Sequence, residues 1–477
     1  MENRMRIASG LSPVGLTAIL VMAGCTGGSM GSGTGVPPLG SVSPASGTSA
    51  YIQHVVIVVQ ENRSFDDFFA TFPGAVGATG GCAKPRSNLV RRFETTSNGC
   101  PTGDTYVPLK SEPLDSLSLA HQHLAFQHEY DKGKMDGFND VELTLKKGTR
   151  QPAGTYAYRY VNPAQIPEYW SIAGQYVLGD HMFTTQSSDS FTAHQDLIAA
   201  GTPVGDKGDN VIDFPTPGSW GCEASPKGTV TSLITPAGKE LRDKGPFPCF
   251  TYSTIRDLLD AQSVSWLYFT SASKGGTWDA YEAINAVRNG PEWATNIIEP
   301  ETQFFNYVSG GTLPAVSWVI PDAINSDHPG NHKDTGPSWV ASIVNAVGES
   351  SYWPNTVVIV VWDDWGGEYD NVPPPQLDGQ GLGIRVPMLL VSAYAKETSS
   401  SQPGYVSHTQ YEFGSILKLI EGNWNLGTLG RTDKRANSLL DCFDFTQPPR
   451  TFTPIASKYS KAYFLKQPPS GLPVDDY

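Results

Sequence analysis

Four runs of consecutive apolar residues have the length and the β-branched composition of buried β-strands. They occupy residues 54–59, 316–320, 356–361 and 386–391. Between the second and third runs, Pro337 opens a segment in which apolar residues recur at three- and four-residue intervals until Val347, and Gly348 closes it. That spacing predicts an amphipathic helix. Strand, helix and strand, with strands that are apolar throughout, predict an α/β fold with a mainly parallel central sheet flanked by helices.

Acidic residues follow three of these four strands. Glu61-Asn62 come after the first run, Asp322 after the second and Asp363-Asp364 after the third. One acid after a strand is usually a turn residue, but the carboxyl ends of parallel strands meet at the sheet edge where ligands bind. Clustered carboxylates are unfavourable unless a cation or a proton compensates them. The pattern therefore predicts a divalent metal ion held by oxygen ligands.

The pair Asp363-Asp364 places a condition on that site. Adjacent side chains on a regular strand point to opposite faces, so both carboxylates reach one ion only where the strand breaks. Gly366-Gly367 follow closely and predict such a break.

Histidines on loops are further candidates, because function tends to lie on loops that a rigid sheet positions. Of the nine histidines, His328 and His332 follow Asp322 in a loop rich in Pro, Gly and Asn. His121 and His128 precede a second loop segment, residues 133–138. A lone histidine is more often structural than catalytic, so these positions carry weight only as a group.

Composition limits the class of protein. The 477 residues are 39% hydrophobic and 11% aromatic, which is too aromatic for a disordered chain and too mixed for a protein with many membrane spans. The formal net charge of −14 argues against a nucleic-acid partner, because phosphate backbones require a basic surface. There is no internal repeat, and residues 51–477 are predicted to form a single catalytic domain with long loop insertions.

The first fifty residues are predicted to direct export and to tether the protein. Arg4 and Arg6 precede an apolar stretch at residues 11–23, which is too short to span a bilayer and is typical of a signal peptide, residues 1–24. The sequence before Cys25 resembles the bacterial lipobox, in which this cysteine is lipidated; the alternative is an ordinary signal peptide with an incidental cysteine. Residues 25–50, rich in Gly, Ser and Pro, form a flexible linker. The expected location is the bacterial cell envelope, with the protein lipid-anchored in the periplasm or on the surface.

An exported chain can form disulfide bonds. Local pairing would join Cys82 to Cys100 and Cys222 to Cys249, but four cysteines allow three connectivities and the sequence does not choose among them. Cys442 is expected to be a small buried apolar residue.

Six segments resemble, in the same order, the motifs of one family. They are residues 61–69 (ENRSFDDFF), 133–138 (GKMDGF), 188–191 (SDSF), 326–329 (SDHP), 362–367 (WDDWGG) and 406–411 (VSHTQY). The chain resembles the bacterial phosphoesterase family, which contains the Francisella-type acid phosphatases and the non-haemolytic phospholipases C. The resemblance covers nearly the whole chain after the linker.

The resemblance implies an alkaline-phosphatase-like core in which one divalent metal ion, of unknown identity, activates a hydroxyl nucleophile. It makes Ser190 the nucleophile. The metal ligands that it implies are Glu61, Asn62, Ser190, Asp363 and Asp364. The histidines that it places around the phosphoryl group are His121, His328 and His408, and His194 matches a catalytic position at which other members carry Arg. Such histidines would stabilise the phosphoryl oxygens and protonate the leaving group.

These expectations predict a metal-dependent hydrolase of phosphate esters, similar to an acid phosphatase, that passes through a phosphoserine intermediate on Ser190. One alternative is a phospholipase C that cleaves phospholipid head groups. An alternative of another class is an inactive, metal-stabilised lipoprotein that binds ligands of the envelope. The expected partners are a phosphate-ester substrate and, through the lipid anchor, a membrane.

Overall fold

The computed structural model describes residues 47–474, apart from 86–98, 102, 146–148, 205–209, 217–219, 272–275, 331–332, 400–402 and 473. The predicted signal peptide, Cys25 and most of the predicted linker therefore lie outside the described residues, as does His332.

A central sheet of nine strands organises the described residues. In chain order the strands are β1 (His54–Gln60), β2 (Val177–Phe183), β3 (Trp266–Phe269), β4 (Ile297–Ile298), β5 (Val316–Val319), β6 (Thr356–Trp362), β7 (Arg385–Ser392), β8 (Tyr405–Ser407) and β9 (Tyr411–Glu412). Their order in space is β4-β3-β5-β1-β6-β7-β2-β8, and β9 also pairs with β2. All pairings are parallel except those of β7, which runs antiparallel to β6 and β2.

Twelve α-helices accompany this sheet in the described residues. They are α1 (Phe65–Phe69), α2 (His123–Tyr130), α3 (Pro167–Gln175), α4 (Ser190–Ala199), α5 (Ile255–Ala261), α6 (Asn285–Arg288), α7 (Glu292–Asn296), α8 (Phe304–Ser309), α9 (Gly336–Gly348), α10 (Phe413–Trp424), α11 (Thr432–Arg435) and α12 (Lys461–Phe464). Helix α9 is the helix that the apolar spacing after Pro337 predicts. No helix among the described residues is long and apolar enough to cross a bilayer.

Helices cover both faces of the sheet. Trp318 of β5 lies level with Ile57 of β1, whereas Trp362 of β6 lies level with the residue three positions further along β1, so the two indoles point to opposite faces. On one face the Trp318 indole N–H donates to the carbonyl of Leu197 in α4, at 3.3 Å. On the other face Tyr169 of α3 packs edge-on against Trp362, with ring centroids 5.0 Å apart. The expected α/β class, with a mainly parallel sheet flanked by helices, is confirmed.

Small sheets and disulfide bonds build the long insertions. A four-stranded antiparallel sheet contains Pro203–Val204, Asn210–Pro215, Thr231–Ile234 and Glu240–Leu241. Three two-stranded sheets pair Gly80–Ala83 with Thr105–Pro108, Lys110–Glu112 with Arg159–Val161, and Glu142–Leu145 with Thr149–Pro152. The structure joins Cys82 to Cys100 and Cys222 to Cys249, the local pairing among the three that the sequence allows. Cys442 carries a buried free thiol.

One edge of the sheet collects the residues that follow its parallel strands. Because β1, β2 and β6 run in the same direction, Glu61-Asn62, the loop that leads to Ser190, and Asp363-Asp364 all start from that edge. The chain turns away after β6 through Gly366 and Gly367, which have φ angles of 63° and 74°. The break that the two glycines predict is present.

Candidate active site

Ser190 is the first residue of α4, and its hydroxyl is buried at the carboxyl edge of the sheet. Ser190 Oγ donates to Asp364 Oδ2 at 3.2 Å and lies 3.4 Å from Asn62 Oδ1. The serine hydroxyl is thus in direct contact with residues that directly follow two strands, β1 and β6.

Asn62 connects the parts of the site. Its backbone N–H donates to Asp363 Oδ1 at 2.9 Å, and its side-chain amide lies 3.0 Å from His121 Nε2. Asn62 has a φ of 61°, in the left-handed region that few residues other than glycine adopt. Backbone strain of this kind persists where the surroundings impose it, as functional sites often do. Close packing imposes it here, because a Cβ atom at Gly366 would lie 2.4 Å from the Asn62 carbonyl oxygen.

His194 faces two carboxylates from the same helical face as Ser190, one turn further along α4. Its Nε2 lies 3.0 Å from Glu61 Oε1 and 3.9 Å from Asp363 Oδ2. Burial lowers the pKa of His194 to about 4, an effect that the Asp363 carboxylate opposes. The imidazole is therefore neutral at neutral pH, and a neutral imidazole nitrogen can be a metal ligand.

These three residues fit a divalent metal ion. Ligand atoms of Glu61, His194 and Asp363 all lie within 4.8 Å of one another, and all three side chains are buried. Asp363 Oδ2 is buried and accepts no hydrogen bond from the described residues. Two buried carboxylates beside a neutral imidazole need a compensating positive charge, and carboxylate oxygen with imidazole nitrogen suits several divalent metals. The geometry therefore makes His194 a possible metal ligand, whereas the family resemblance implies a catalytic role for it.

His121 and His328 adjoin the serine side of the site. His121 Nδ1 lies 2.7 Å from the carbonyl oxygen of Leu119, which places the ring proton on Nδ1 and leaves Nε2 to accept from the Asn62 amide. His121 Nε2 also lies 3.8 Å from Asp364 Oδ2. The ring of His328 is 6.5 Å from that of His121, centroid to centroid. His121 therefore contacts the partners of Ser190 directly, and His328 is a neighbour of His121.

His408 is not brought to this cluster. Its Nδ1 lies 2.8 Å from Asp180 Oδ2, and its side chain is 57% exposed. Its ring packs edge-to-face against that of His181, with a centroid distance of 6.3 Å. Asp322 is also elsewhere engaged, because its carboxylate accepts from the backbone N–H of Ser470 at 2.8 Å. The expectation that His408 contacts the phosphoryl group finds no contact with Ser190 or its partners in the described residues, because β8 ends beside Asp180.

One residue next to the site was missed by the sequence analysis. Glu129 of α2 is fully buried, and its Oε2 accepts from the indole N–H of Trp365 at 2.7 Å. Burial raises the pKa of Glu129 well above its usual range, while Trp365 and His121 oppose part of that rise. Only the position of Trp365 between Asp364 and Gly366 could have indicated this contact, because nothing in the local sequence marks Glu129 as buried.

A buried serine hydroxyl, carboxylates and histidines at the carboxyl edge of a mainly parallel α/β sheet are groups that can activate a nucleophile for hydrolysis. The sequence model of the phosphoesterase family matches residues 52–427. The chain belongs to the phosphoesterase family, and it is a hydrolase that acts on phosphate esters.

Phospholipases C are among its relatives. Phospholipase C A of Mycobacterium tuberculosis is 24% identical over 463 residues, which cover 87% of this chain and 81% of the relative. Non-specific phospholipase C3 of Arabidopsis thaliana is 26% identical over 450 residues, with 87% and 77% covered. Among solved structures, a protein of the alkaline phosphatase superfamily from Vibrio parahaemolyticus matches with a TM-score of 0.32 and 11% identity, over 58% of this chain and 66% of that one.

Proposed function

We propose that this chain hydrolyses phosphate esters through attack of Ser190 Oγ on phosphorus, with a phosphoserine intermediate. The observation that carries the proposal is the contact of Ser190 Oγ with Asp364 and Asn62, next to the group formed by Glu61, His194 and Asp363. A serine hydroxyl is a weak nucleophile until a base or a metal activates it. Both forms of activation are available to residues at this edge of the sheet.

One divalent metal ion is proposed to bind through Glu61, Asn62, Ser190, Asp363 and Asp364, with His194 as a further ligand. When bound, such an ion supplies Lewis-acid polarisation of a phosphoryl oxygen and lowers the pKa of a serine hydroxyl.

The chain's own residues supply the proton transfers. Asp364 Oδ2 accepts the hydrogen bond of Ser190 Oγ and is proposed to receive its proton as the new O–P bond forms. The bond between phosphorus and the leaving alkoxide then breaks, and the imidazolium form of His121 or His328 is proposed to protonate that alkoxide. Water subsequently hydrolyses the phosphoserine, which releases phosphate and restores the hydroxyl.

The test is the substitution Ser190→Ala with two substrates, p-nitrophenyl phosphate and phosphatidylcholine. Loss of the nucleophile should reduce turnover of the accepted substrate by about 10³-fold or more, with little change in melting temperature. Ser309→Ala, at the exposed end of α8, is the control and should behave as the wild type. Wild-type turnover by Ser190→Ala would reject the nucleophile, and absence of turnover in the wild type would favour a binding protein.

Phospholipase C activity is the second candidate. The relatives named as phospholipases C cover most of this chain, which supports phospholipase C activity as the alternative to an acid-phosphatase-like phosphomonoesterase. Release of diacylglycerol from phosphatidylcholine would establish the second candidate, and hydrolysis of p-nitrophenyl phosphate alone would establish the first.

We further propose that the protein is exported and held at the cell envelope by a lipid on Cys25. The support is the sequence pattern of residues 1–24 and the Gly/Ser/Pro-rich linker at 25–50, followed by one catalytic domain over residues 51–477.

A further inference from the structure

Strand β2 contains a β-bulge close to its middle. Met182 pairs with Val386 of β7 and Gly179 pairs with Met388, so that Asp180 and His181 together oppose the single residue between them, Pro387. Proline has no backbone N–H and cannot continue the hydrogen-bond ladder, which explains a bulge at this point. A bulge re-aims side chains, so two adjacent residues of β2 can contact each other here.

The other edge of β2 is interrupted at the same level. Strand β8 pairs with residues up to Gly179, and β9 resumes pairing at Met182. Residues 408–410 therefore leave the ladder opposite Asp180 and His181. His408 is the first residue of this unpaired segment. The two interruptions bring the side chains of Asp180, His181 and His408 to one place.

The loop that carries His408 is held by a single carboxylate. Asp441 accepts from Ser407 Oγ at 3.1 Å, from Thr409 Oγ1 at 2.8 Å and from the Tyr411 hydroxyl at 2.7 Å. These bonds fix the chain on both sides of His408. The histidine is thus positioned in advance, which lowers the entropic cost of using it as a ligand.

The three side chains converge on the Asp180 carboxylate. His181 Nδ1 lies 2.6 Å from Oδ1 and His408 Nδ1 lies 2.8 Å from Oδ2, and the three ligand atoms are all within 4.8 Å of one another. The backbone N–H of Val76 donates to Oδ2 at 2.9 Å and orients the carboxylate. Asp180 is buried, whereas the side chains of His181 and His408 are 23% and 57% exposed, so the group is open to solvent.

We propose that Asp180, His181 and His408 form a second metal site, which binds a Zn²⁺-class divalent transition metal independently of the Ser190 site. Two imidazole nitrogens and one carboxylate oxygen are a recurring three-ligand set for zinc, with water in the fourth position. Ligand atoms around a tetrahedral zinc are about 3.3 Å apart, whereas the His181 and His408 nitrogens lie 2.6 and 2.8 Å from the Asp180 oxygens, so both rings need to move outward by about half an ångström or more. On binding, each imidazole keeps one proton, on Nε2 instead of Nδ1, and nitrogen–metal bonds replace the two hydrogen bonds to Asp180.

The positive charge of Arg385, which contacts Asp180, does not oppose such an ion. Arg385 donates to the backbone carbonyl of Asp180 at 2.7 Å, but its guanidinium is buried between the carboxylates of Asp66 and Asp370. The charge of Arg385 is therefore compensated by two carboxylates that are not among the proposed ligands.

Zinc binding to the full-length, metal-stripped protein tests the proposal. Titration with ZnCl₂ by calorimetry, and metal analysis after dialysis, should show about one equivalent less in His181→Ala and in His408→Ala than in the wild type. His128→Ala, an exposed histidine on α2, is the matched control and should bind as the wild type does. Asp363→Asn, in the Ser190 site, should keep this equivalent, which separates the two sites.

Two further conditions identify the ligands. Binding at this site should weaken in acid because protons compete for the imidazole nitrogens, and excess Ca²⁺, which prefers oxygen ligands, should not displace the zinc. Wild-type stoichiometry and affinity in both His181→Ala and His408→Ala would overturn the proposal. So would loss of all zinc binding in Asp363→Asn alone.

Discussion

His194 shows how one buried side chain can serve two parts of a site. It follows Ser190 by one helical turn and lies 3.0 Å from Glu61 Oε1, so α4 delivers both the hydroxyl and an imidazole to the same edge of the sheet. Because burial keeps this imidazole neutral, it adds no charge and can donate a hydrogen bond or ligate a metal.

Replacement of His194 should therefore affect metal binding first. In His194→Ala the Glu61 and Asp363 carboxylates lose the imidazole between them, and we expect the metal affinity of the site to fall by about 10–100-fold. Metal titration monitored together with phosphatase activity checks this, and excess metal should restore part of the activity. Unchanged affinity would show that His194 only fills space.

A second residue-scale prediction concerns stability against pH. Glu112 is buried beside Asp67. Burial, and to a smaller extent the negative charge of Asp67, raise the pKa of Glu112 to about 8, although Arg63 and Arg159 oppose the rise. A carboxyl whose pKa is raised in the folded state is most stabilising below its unfolded pKa of about 4.3, and that stability is lost as pH rises towards about 8. The melting temperature of the wild type should therefore fall between about pH 5 and about pH 8.

Glu112→Gln should reduce that fall, because a neutral amide has no proton to lose. Thermal denaturation followed by circular dichroism across this pH range measures it. Glu142→Gln, whose side chain is 58% exposed and pairs with Arg150, is the control and should keep the wild-type slope. Identical slopes in all three proteins would contradict the assignment to Glu112.

At the scale of elements, the turn after β6 decides whether the carboxylates face the serine. Gly366 adopts a φ of 63° and lies directly against the Asn62 carbonyl, so the turn and the strained residue depend on each other. The apolar run of β6 only places Asp363-Asp364 at the sheet edge. The turn then sets the direction of the Asp363 and Asp364 side chains.

Gly366→Ala should accordingly cause a large loss of kcat and only a modest loss in the free energy of unfolding. A Cβ atom 2.4 Å from the Asn62 oxygen must displace Asn62, and we expect a loss of about 100-fold in kcat. Gly427→Ala is a matched control, because Gly427 also has a positive φ, of 88°, but no atom within 4 Å of a Cβ there. Both variants carry the strain of an alanine at positive φ, about 1–2 kcal/mol, and only Gly366→Ala adds the contact with Asn62. Equal activities would therefore contradict the role given to the turn.

At the scale of the whole molecule, the predicted tether and the catalytic body occupy separate stretches of the sequence, residues 25–50 and 51–477. The body carries the sheet and the site, and the tether consists of an uncharged linker after Cys25. A lipid on Cys25 would keep the catalytic body near a membrane surface.

Cys25→Ser should abolish incorporation of labelled fatty acid when the full chain is expressed in a bacterial host. The reason is that lipidation requires the thiol of this residue. Labelling of the wild type and of Cys442→Ser, which removes a buried free thiol, should remain. Equal labelling of the Cys25→Ser protein would rule out the proposed anchor.

Much of the fold and of the candidate site was predictable, because both rest on local patterns. Runs such as residues 54–59 and 356–361 can only be buried on both faces, and parallel strands bring their carboxyl ends to one edge. Glu61, Asn62 and Asp363-Asp364 could therefore be placed together with no knowledge of contacts. Ser190 required the family resemblance, since nothing in its immediate sequence distinguishes it from other serines in turns.

The direction of β7, the location of His408 and the choice of disulfide pairing were decided only by the tertiary structure. An apolar run reads the same in either direction, so residues 386–391 indicate a strand but not its antiparallel course. His408 lies with Asp180 because two strand pairings are interrupted at one level, and a pairing register is a property of neighbouring strands. The sequence by itself determined which segments are buried and which polar residues end them; tertiary packing decided where those polar groups point, because side-chain direction depends on strand partners far away in the chain.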